Sequence, residues 1–389
     1  MTSERRRIVV LGSTGSIGVQ ALELIAQHPD RFELVALCAN GTHEDLLIAQ
    51  ARASRVTLIG VADSKAAARI RAALPGVTVI DGPGAAEEVA ASPTDLVLNA
   101  ITGSIGLRPT LAALKAGSLL ALANKESLVA GGPLVKAAAK PGQIIPVDSE
   151  HSALAQGLRA GSPNEVSRLI LTASGGPFRG KTREFLAQVS PTQALAHPTW
   201  QMGPVVTINS ATLVNKGLEL IEAHLLFDIP YSKIETVIHP QSIVHSLVEF
   251  VDGSTIAQAS PPSMRIPIAL AMAWPNRITQ VAPACDWRSA SSWTFEPVDH
   301  ETFPALSIAR RAGLAGGLAP AVFNAANEEC VEAFLSGQLS FLGISDILGR
   351  VVEDLINGAN SIPRDVADIV EAETGARTKA RRLIEEMAK

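Results

Sequence analysis

The sequence predicts an α/β protein in three parts: a doubly wound parallel sheet, then an α+β segment, then a C-terminal helical bundle. Three observations carry that expectation. Over the first 150 residues short β-branched runs alternate with alanine-rich helical stretches. After about Glu150 strand-like segments cluster with few helices, and beyond Pro304 the pattern is helical. At 389 residues the chain has room for about two to three domains, each with a sizeable core.

Composition narrows the class. Hydrophobic residues make up 47% and charged residues 18%, which excludes a disordered chain or a coiled coil. A net charge of −5 argues against an extended nucleic-acid surface, and 4% aromatics against stacking platforms for single strands. No uninterrupted apolar run reaches the ~18–20 residues a membrane span needs. The apolar stretch after Arg5-Arg6-Arg7 is too short and too glycine-rich for a signal peptide, and reads as a first strand. Cys38, Cys285 and Cys330 are scattered and odd in number, as expected of buried, reduced thiols in cytoplasm.

The first part, 1–149, is expected to hold strands at Ile8–Leu11, Phe32–Ala39, Arg55–Val61, Val77–Ile80, Asp95–Ile101, Ser118–Ala123 and Gln143–Val147. Helices at Gly18–Gln27, His43–Arg52 and Ser64–Ala73 separate the first of them, which makes the sheet parallel. The α+β part, 150–274, carries strand patterns at Ser167–Thr172, Val205–Ile208, Glu235–Ile238, Ile243–Phe250 and Thr255–Ala259. Within it, about 175–203 is rich in Gly, Pro, Ser and Thr and reads as a lid. Residues 275–304 resemble an extended linker, and 305–389 a helical domain with helices at Pro320–Leu335, Ser345–Ile356 and Pro363–Met387, Pro363 in a first turn.

The first strand runs into Gly12-Ser13-Thr14-Gly15-Ser16-Ile17-Gly18 and then a helix. Glycines there let backbone N–H groups approach a pyrophosphate at a helix N-terminus, so this first part is expected to be Rossmann-like and to bind a dinucleotide. The second strand ends Ala39-Asn40-Gly41-Thr42 without the acid that holds an NAD ribose. That absence favours NADP, although no arginine stands there to meet a 2′-phosphate.

Carboxylates supply the next signal. The strand at Gln143–Val147 ends in Asp148-Ser149-Glu150-His151, and continued period-two geometry would put Asp148 and Glu150 on one face. Two such acids suit a hard divalent cation; a polar loop, or a helix N-cap with a first-turn acid, is the alternative. Asn215, Glu219 and Glu222 share one face of a helix expected near Ser210–Phe227, flanked by Lys216, with Ser210 at the N-cap position. That start could receive an anion, and a solvated charged face is the plainer reading. Lys125, after another strand end, would reach the same crevice as an electrostatic catalyst. His239 and His245 read as structural histidines.

At this point the motifs Gly12–Gly18, Ala123–Ser127, Pro146–His151, Ala173–Phe178, His197–Gly203, Asn215–Glu219 and Ile238–His245 closely resemble those of the 1-deoxy-D-xylulose 5-phosphate reductoisomerase family, in order from about Ile8 to the C-terminal helices. The resemblance implies an NADPH-dependent enzyme that makes 2-C-methyl-D-erythritol 4-phosphate in non-mevalonate isoprenoid synthesis, as a homodimer. It implies Asp148, Glu150 and Glu219 as ligands of Mg²⁺, Mn²⁺ or Co²⁺, with Glu222 outside that set. The substrate phosphate would fall to Ser174, His197, Ser210, Asn215 and Lys216, a collar of donors suited to a dianion.

Lys125 and Ser149 would meet the reacting oxygens, with Trp200 and Met202 on the lid. Gly12, Thr14, Gly15, Ser16, Ile17, Ala39, Asn40, Asn124, Glu126 and Gly203 would contact the cofactor. The family often carries a lysine where this chain has Asn40-Gly41-Thr42, so the adenosine-side contacts differ. The implied chemistry is Lewis-acid-assisted migration of the carbon skeleton to a branched aldehyde, followed by hydride reduction. A simple NADP-dependent semialdehyde or hydroxy-acid dehydrogenase is the competing reading. It needs the glycine loop but gives Asp148, Glu150 and Glu219 nothing to do.

Overall fold

The computed structural model describes residues 5–200, 202–356 and 361–387. Gln201, inside the expected lid, lies outside the described residues. In chain order the elements are β1 (Arg6–Leu11), α1 (Ser16–Gln27), β2 (Phe32–Ala39), α2 (Glu44–Ser54), β3 (Leu58–Val61), α3 (Ser64–Ala73), β4 (Thr78–Asp81) and α4 (Ala85–Ala90). Then come β5 (Leu96–Asn99), α5 (Leu107–Ala116), β6 (Leu119–Leu122), α6 (Lys125–Ala138), β7 (Ile144–Pro146), α7 (Ser149–Gly157) and β8 (Val166–Ala173). They are followed by α8 (Arg183–Leu186), α9 (Pro191–Ala194), α10 (Pro204–Ala211), α11 (Val214–Phe227), β9 (Ile234–Ile238), β10 (Val244–Phe250) and β11 (Thr255–Ala259). The chain closes with α12 (Arg265–Ala273), β12 (Glu296–Pro297), α13 (Ala305–Ala315), α14 (Ala319–Leu335), α15 (Phe341–Leu355) and α16 (Val366–Met387).

Two compact units result. One comprises the chain up to Ser127, Val135–Ser152 and Ser263–Pro283; the other comprises Leu128–Leu134, Ala153–Pro262 and the chain from Ala284 on.

In the first unit a seven-stranded sheet runs β4-β3-β2-β1-β5-β6-β7, every pairing parallel. The chain winds outward from β1 to β4 and returns to place β5 on the other side of β1. Open α/β sheets take ligands at the carboxyl ends of the strands flanking such a reversal. Ile8, Val9, Val10 and Leu11 are all fully buried, the continuous apolar run of a parallel strand covered on both faces.

Helix α12 joins this unit. Sequence reading places residues up to 274 with the α+β part, yet Ile268, Ala269, Ala271 and Met272 of α12 share a core with β1. Arg6 donates to the carbonyls of Met272 (2.8 Å) and Trp274 (3.0 Å), and Arg265 reaches Glu23 and Gln27 of α1, each at 2.7 Å. A helix this apolar on every side must be buried somewhere, and periodicity does not say against what.

In the second unit a mixed sheet runs β11-β10-β8-β9-β12, with only β8 and β9 parallel. Its Val166, Leu169, Leu171, Val248 and Phe250 share a core with α11 and α13–α16. Three expectations change here. Val205–Ile208, read as a strand from its β-branched residues, lies in α10, where Pro204 takes the first helical position and burial of Thr207 and Ile208 overrides local propensity.

The long irregular stretch is mostly packed as well. Phe178, Leu186, Val189 and Ala194 belong to the core, and capped turns at Thr182 and Ser190 start α8 and α9. Finally, α16 starts at Val366 rather than Pro363, because the Asp365 carboxylate accepts the N–H groups of Ala367 (2.8 Å) and Asp368 (3.2 Å) and caps the helix there. Among the described residues no helix is long and apolar enough to cross a membrane.

Candidate active site

At the carboxyl end of β1, Gly12 takes φ +78°, and a Cβ there would stand 2.6 Å from the Ala100 carbonyl oxygen. Only glycine fits that turn. The N–H groups of Gly12 and Ser13 both donate to the Cys38 carbonyl (2.8 and 3.0 Å), tying the loop to β2. Helix α1 then opens at Gly15 with no side-chain cap, which leaves its N-terminal donors and dipole for an anion. Gln50 of α2 supports the loop from behind, donating to the Ser13 carbonyl at 2.8 Å. At the end of β2 the Asn40 side chain accepts the Thr42 N–H (2.9 Å) in a local turn, and Asn40 is exposed.

The ends of β5 and β6 are locked by two asparagines. Asn99 donates to the Gly106 carbonyl (3.0 Å) and to Thr110 (2.9 Å), and accepts the Ile101 N–H (3.2 Å). Asn124 donates to the carbonyls of Gly103 (2.8 Å) and Ile101, and caps α6 by accepting the Ser127 N–H (2.8 Å). With its side chain so occupied, Asn124 as a whole residue is only 1% exposed. Lys125 is the first residue of that capped helix, and its ammonium pairs with Asp148.

Asp148 and Glu150 are displayed differently from the period-two expectation. The strand stops at Pro146 and α7 begins at Ser149. Asp148 sits at the N-cap, its side chain accepting the Ser149 N–H (2.9 Å) and its carbonyl the Ser152 N–H (2.8 Å); Glu150 is in the first turn. The helix dipole favours both as carboxylates. Ser149 donates to Glu150.

In the second unit three of the expected phosphate ligands meet. His197 Nε2 lies 3.1 Å from Ser174 Oγ and 3.1 Å from Ser210 Oγ. Ser174 follows β8, while Ser210 is in the last turn of α10 and not at an N-cap, since α10 and α11 are separate helices broken at Leu213, φ +62°. That left-handed leucine re-aims the chain so that Asn215 and Lys216 open α11. Both donate to Glu219, which is 1% exposed, with Lys216 at 4%.

The turn that follows Ser174 is a double glycine, Gly175-Gly176, both at positive φ. Gly176 has φ +65°, and a Cβ there would stand 3.0 Å from both the Ser210 carbonyl oxygen and the Ala211 Cα. Gly176→Ala is therefore expected to raise KM for a phosphorylated substrate about tenfold, since a left-handed alanine costs roughly 1–2 kcal/mol and the turn relaxes away from α10. Steady-state kinetics with an unchanged NADPH affinity as the fold control checks this, and an unaltered KM contradicts it.

Other candidates fall to structural roles. His239 is fully buried, its Nδ1 2.9 Å from the Thr294 carbonyl while Nε2 accepts the N–H groups of Ile243 and Val244, both at 3.1 Å. His245 Nε2 faces the Ser260 carbonyl at 3.2 Å. Burial pushes the Cys38 and Cys330 thiols up to about 12, so neither is a nucleophile near neutral pH. Trp200 and Met202 are half-buried, and Gly203 is exposed at the start of α10 with open space where a Cβ would go. Residues that sequence reasoning missed are Asn99, Gln50 and the Asn327–Asn209 pair (3.0 Å), which ties α14 to α10; as single amides, buried or half-buried, they leave no pattern in a single sequence.

Comparison with known proteins agrees with these motifs. The 1-deoxy-D-xylulose 5-phosphate reductoisomerase family matches residues 8–132, its C-terminal domain matches 144–227, and the DXP reductoisomerase C-terminal domain matches 259–379. The chain belongs to the 1-deoxy-D-xylulose 5-phosphate reductoisomerase family. The family member from Kitasatospora griseola is 59% identical over 383 residues, covering 97% of this chain and 99% of its own. That of Mycobacterium tuberculosis is 58% identical over 385 residues, 99% and 92% of the two chains.

Among solved structures, the Zymomonas mobilis reductoisomerase in complex with NADPH superposes with a TM-score of 0.91 at 40% identity, covering 98% of this chain and 100% of its own. A reductoisomerase in complex with NADPH, fosmidomycin and magnesium superposes at 0.93 with 37% identity, covering 99% of each chain. The Rossmann-like sheet, the second sheet and the C-terminal helices are thus the family's fold over its whole length.

Proposed function

We propose that this chain carries out the family's reaction, converting 1-deoxy-D-xylulose 5-phosphate to 2-C-methyl-D-erythritol 4-phosphate with NADPH and a divalent metal. Near-complete coverage of relatives at 58–59% identity is the observation that carries this reading. The donor chemistry fits the metal: Asp148, Glu150 and Glu219 offer only hard oxygens, and Glu219 is a carboxylate kept charged in a buried position by Asn215 and Lys216. When bound, the metal supplies Lewis-acid polarisation of the substrate's oxygens and NADPH supplies hydride.

The residues divide the remaining work. The Gly12–Ile17 turn with the open end of α1 receives the cofactor pyrophosphate, with Ala39, Asn40, Asn124, Glu126 and Gly203 completing the cofactor contacts. Ser174, His197, Ser210, Asn215 and Lys216 hold the phosphate and so fix the reacting carbons in register. Ser149 and Lys125 orient the substrate oxygens, Lys125 adding positive charge where negative charge develops. Trp200 and Met202 exclude water. We also propose a cytoplasmic homodimer, the compartment from the scattered, unpaired cysteines and the dimer from the family resemblance; light scattering on the purified protein tests the oligomeric state.

The direct test is NADPH consumption with 1-deoxy-D-xylulose 5-phosphate. Turnover that requires Mg²⁺ or Mn²⁺ and stops on chelation is expected; metal-independent turnover of a simple aldehyde or hydroxy acid would return the reading to a plain dehydrogenase. NADPH should surpass NADH in kcat/KM by at least about tenfold, or 1.4 kcal/mol, because β2 ends without an acid to repel a 2′-phosphate. A ratio near one contradicts that.

A further inference from the structure

We infer that His197 works through both ring nitrogens: Nε2 donates to the substrate phosphate, and Nδ1 accepts the main-chain hydrogen bonds that fold residues 197–200 into the turn carrying Trp200. The first half rests on the phosphate-collar reading above. The second is new and stands on its own geometry.

Nδ1 lies 3.1 Å from the Thr199 nitrogen and 2.9 Å from the Trp200 nitrogen. A ring nitrogen that accepts two N–H groups carries no hydrogen, so the neutral ring holds its hydrogen on Nε2. Burial shifts His197 below the usual histidine range, in keeping with a neutral ring. Nε2–H is thereby aimed at the space shared by Ser174 and Ser210, each 3.1 Å away. The tautomer that serves the phosphate is set by the lid's own backbone.

The turn needs this help. His197 precedes Pro198, and a residue before proline is disfavoured in the helical region, so the segment does not close as an ordinary helical turn. An imidazole nitrogen stands in for a main-chain acceptor, as asparagine does in local side-chain turns. What the turn delivers is Trp200, whose ring meets His245 edge-on at 6.1 Å between centroids and 67°. His245 is itself buried and hydrogen-bonded to Ser260, so it forms a fixed wall for the indole. His197 thus acts on Trp200 as a positioning residue, and the seating of the lid depends on the same ring that grips the phosphate.

Two amide substitutions separate the halves. His197→Asn puts an acceptor near the place of Nδ1 and nothing at Nε2; His197→Gln can restore a donor near Nε2 but leaves the Thr199 and Trp200 N–H groups without their acceptor. Both are made in a full-length chain whose Trp274, Trp287 and Trp293 are replaced by Phe, with NADPH affinity as the fold control. Acrylamide quenching of Trp200 without substrate is expected to stay at the parent level in His197→Asn and to rise about twofold or more in His197→Gln, as for a ring released to solvent. In kinetics His197→Asn should raise KM at least about tenfold with kcat nearly kept, and His197→Gln should chiefly lower kcat. Equal quenching in both variants and the parent, or an equal rise in both, overturns the inference. The expected quenching pattern with KM unmoved in His197→Asn upholds the positioning role and removes His197 from the phosphate collar instead.

Discussion

Glu219→Gln is expected to lower kcat at least about 100-fold while leaving NADPH affinity within about twofold, the scale seen when metal coordination or its immediate support is damaged. The substitution keeps the size and shape of the side chain and removes only its charge. In the native protein that charge is buried at 1% exposure and faces two donors on the preceding turn of α11, Asn215 and Lys216. The glutamine oxygen can still accept from one of them, but the Lys216 ammonium, 4% exposed, loses its neutralising partner, a situation that costs far more than the pair itself is worth. Two effects therefore add: weaker binding of the divalent cation and a displaced lysine at the phosphate end. Mn²⁺ titration separates them. If the loss is in metal affinity alone, saturating metal restores much of kcat; if Lys216 has also moved, KM for substrate stays high at any metal concentration. Near-normal turnover at ordinary Mg²⁺ would remove Glu219 from the ligand set. The cofactor control is informative because the glycine turn belongs to the first unit, whereas Glu219 belongs to the second.

How far the sequence alone could be followed depends on what each signal measures. The strand expected at Phe32–Ala39 and that at Thr255–Ala259 agree with β2 and β11 to the residue, because short strand-patterned segments closely bounded by turn residues (Pro29-Asp30 and Asn40-Gly41; Gly253-Ser254 and Ser260-Pro261) have their ends marked in the sequence itself. Val205–Ile208 is strand-patterned too and yet helical, since Pro204 and the burial of Ile208 decide there. The acids Asp148 and Glu150 were visible, and their display is the alternative weighed against a shared strand face, a helix N-cap with a first-turn acid. Strand and helix both put these residues near the sheet edge, and where β7 hands over to α7 is a matter of one or two residues.

The motif Asn124-Lys125-Glu126 was equally visible, yet only the fold shows that the Asn124 side chain is spent on the Ile101 and Gly103 carbonyls and on capping α6. Helix α12 marks the larger limit. It lies far along the chain from β1 and packs in the same core, a choice made by shape and apolar area that no window of neighbouring residues contains.

Lys125→Met should cost kcat about 100-fold or more, close to 2.7 kcal/mol of barrier, with only a small change in melting temperature. Methionine keeps the apolar stem and deletes the ammonium. In the structure that ammonium pairs with Asp148, where the two side chains are 12% and 16% exposed. Their backbones are held independently of it: β6 and β7 pair in parallel with Leu122 opposite Pro146, Asn124 caps α6, and Asp148 caps α7. Loss of the pair therefore leaves both helix starts in place, and a purely structural lysine would show as lower stability with kcat nearly kept. A lysine that also places charge on the substrate's reacting oxygens shows the reverse.

Lys125→Arg sharpens the comparison, because arginine retains the charge and can pair with Asp148 but is planar, longer and bidentate. If neutralising Asp148 were the whole role, arginine would rescue most of the activity. If a compact charge must sit at a set distance from the developing oxyanion, arginine should remain at least about tenfold impaired. Stability measured by thermal unfolding and kcat measured at saturating substrate and metal decide between them, and a methionine variant within about tenfold of the parent would assign Lys125 to the ion pair alone.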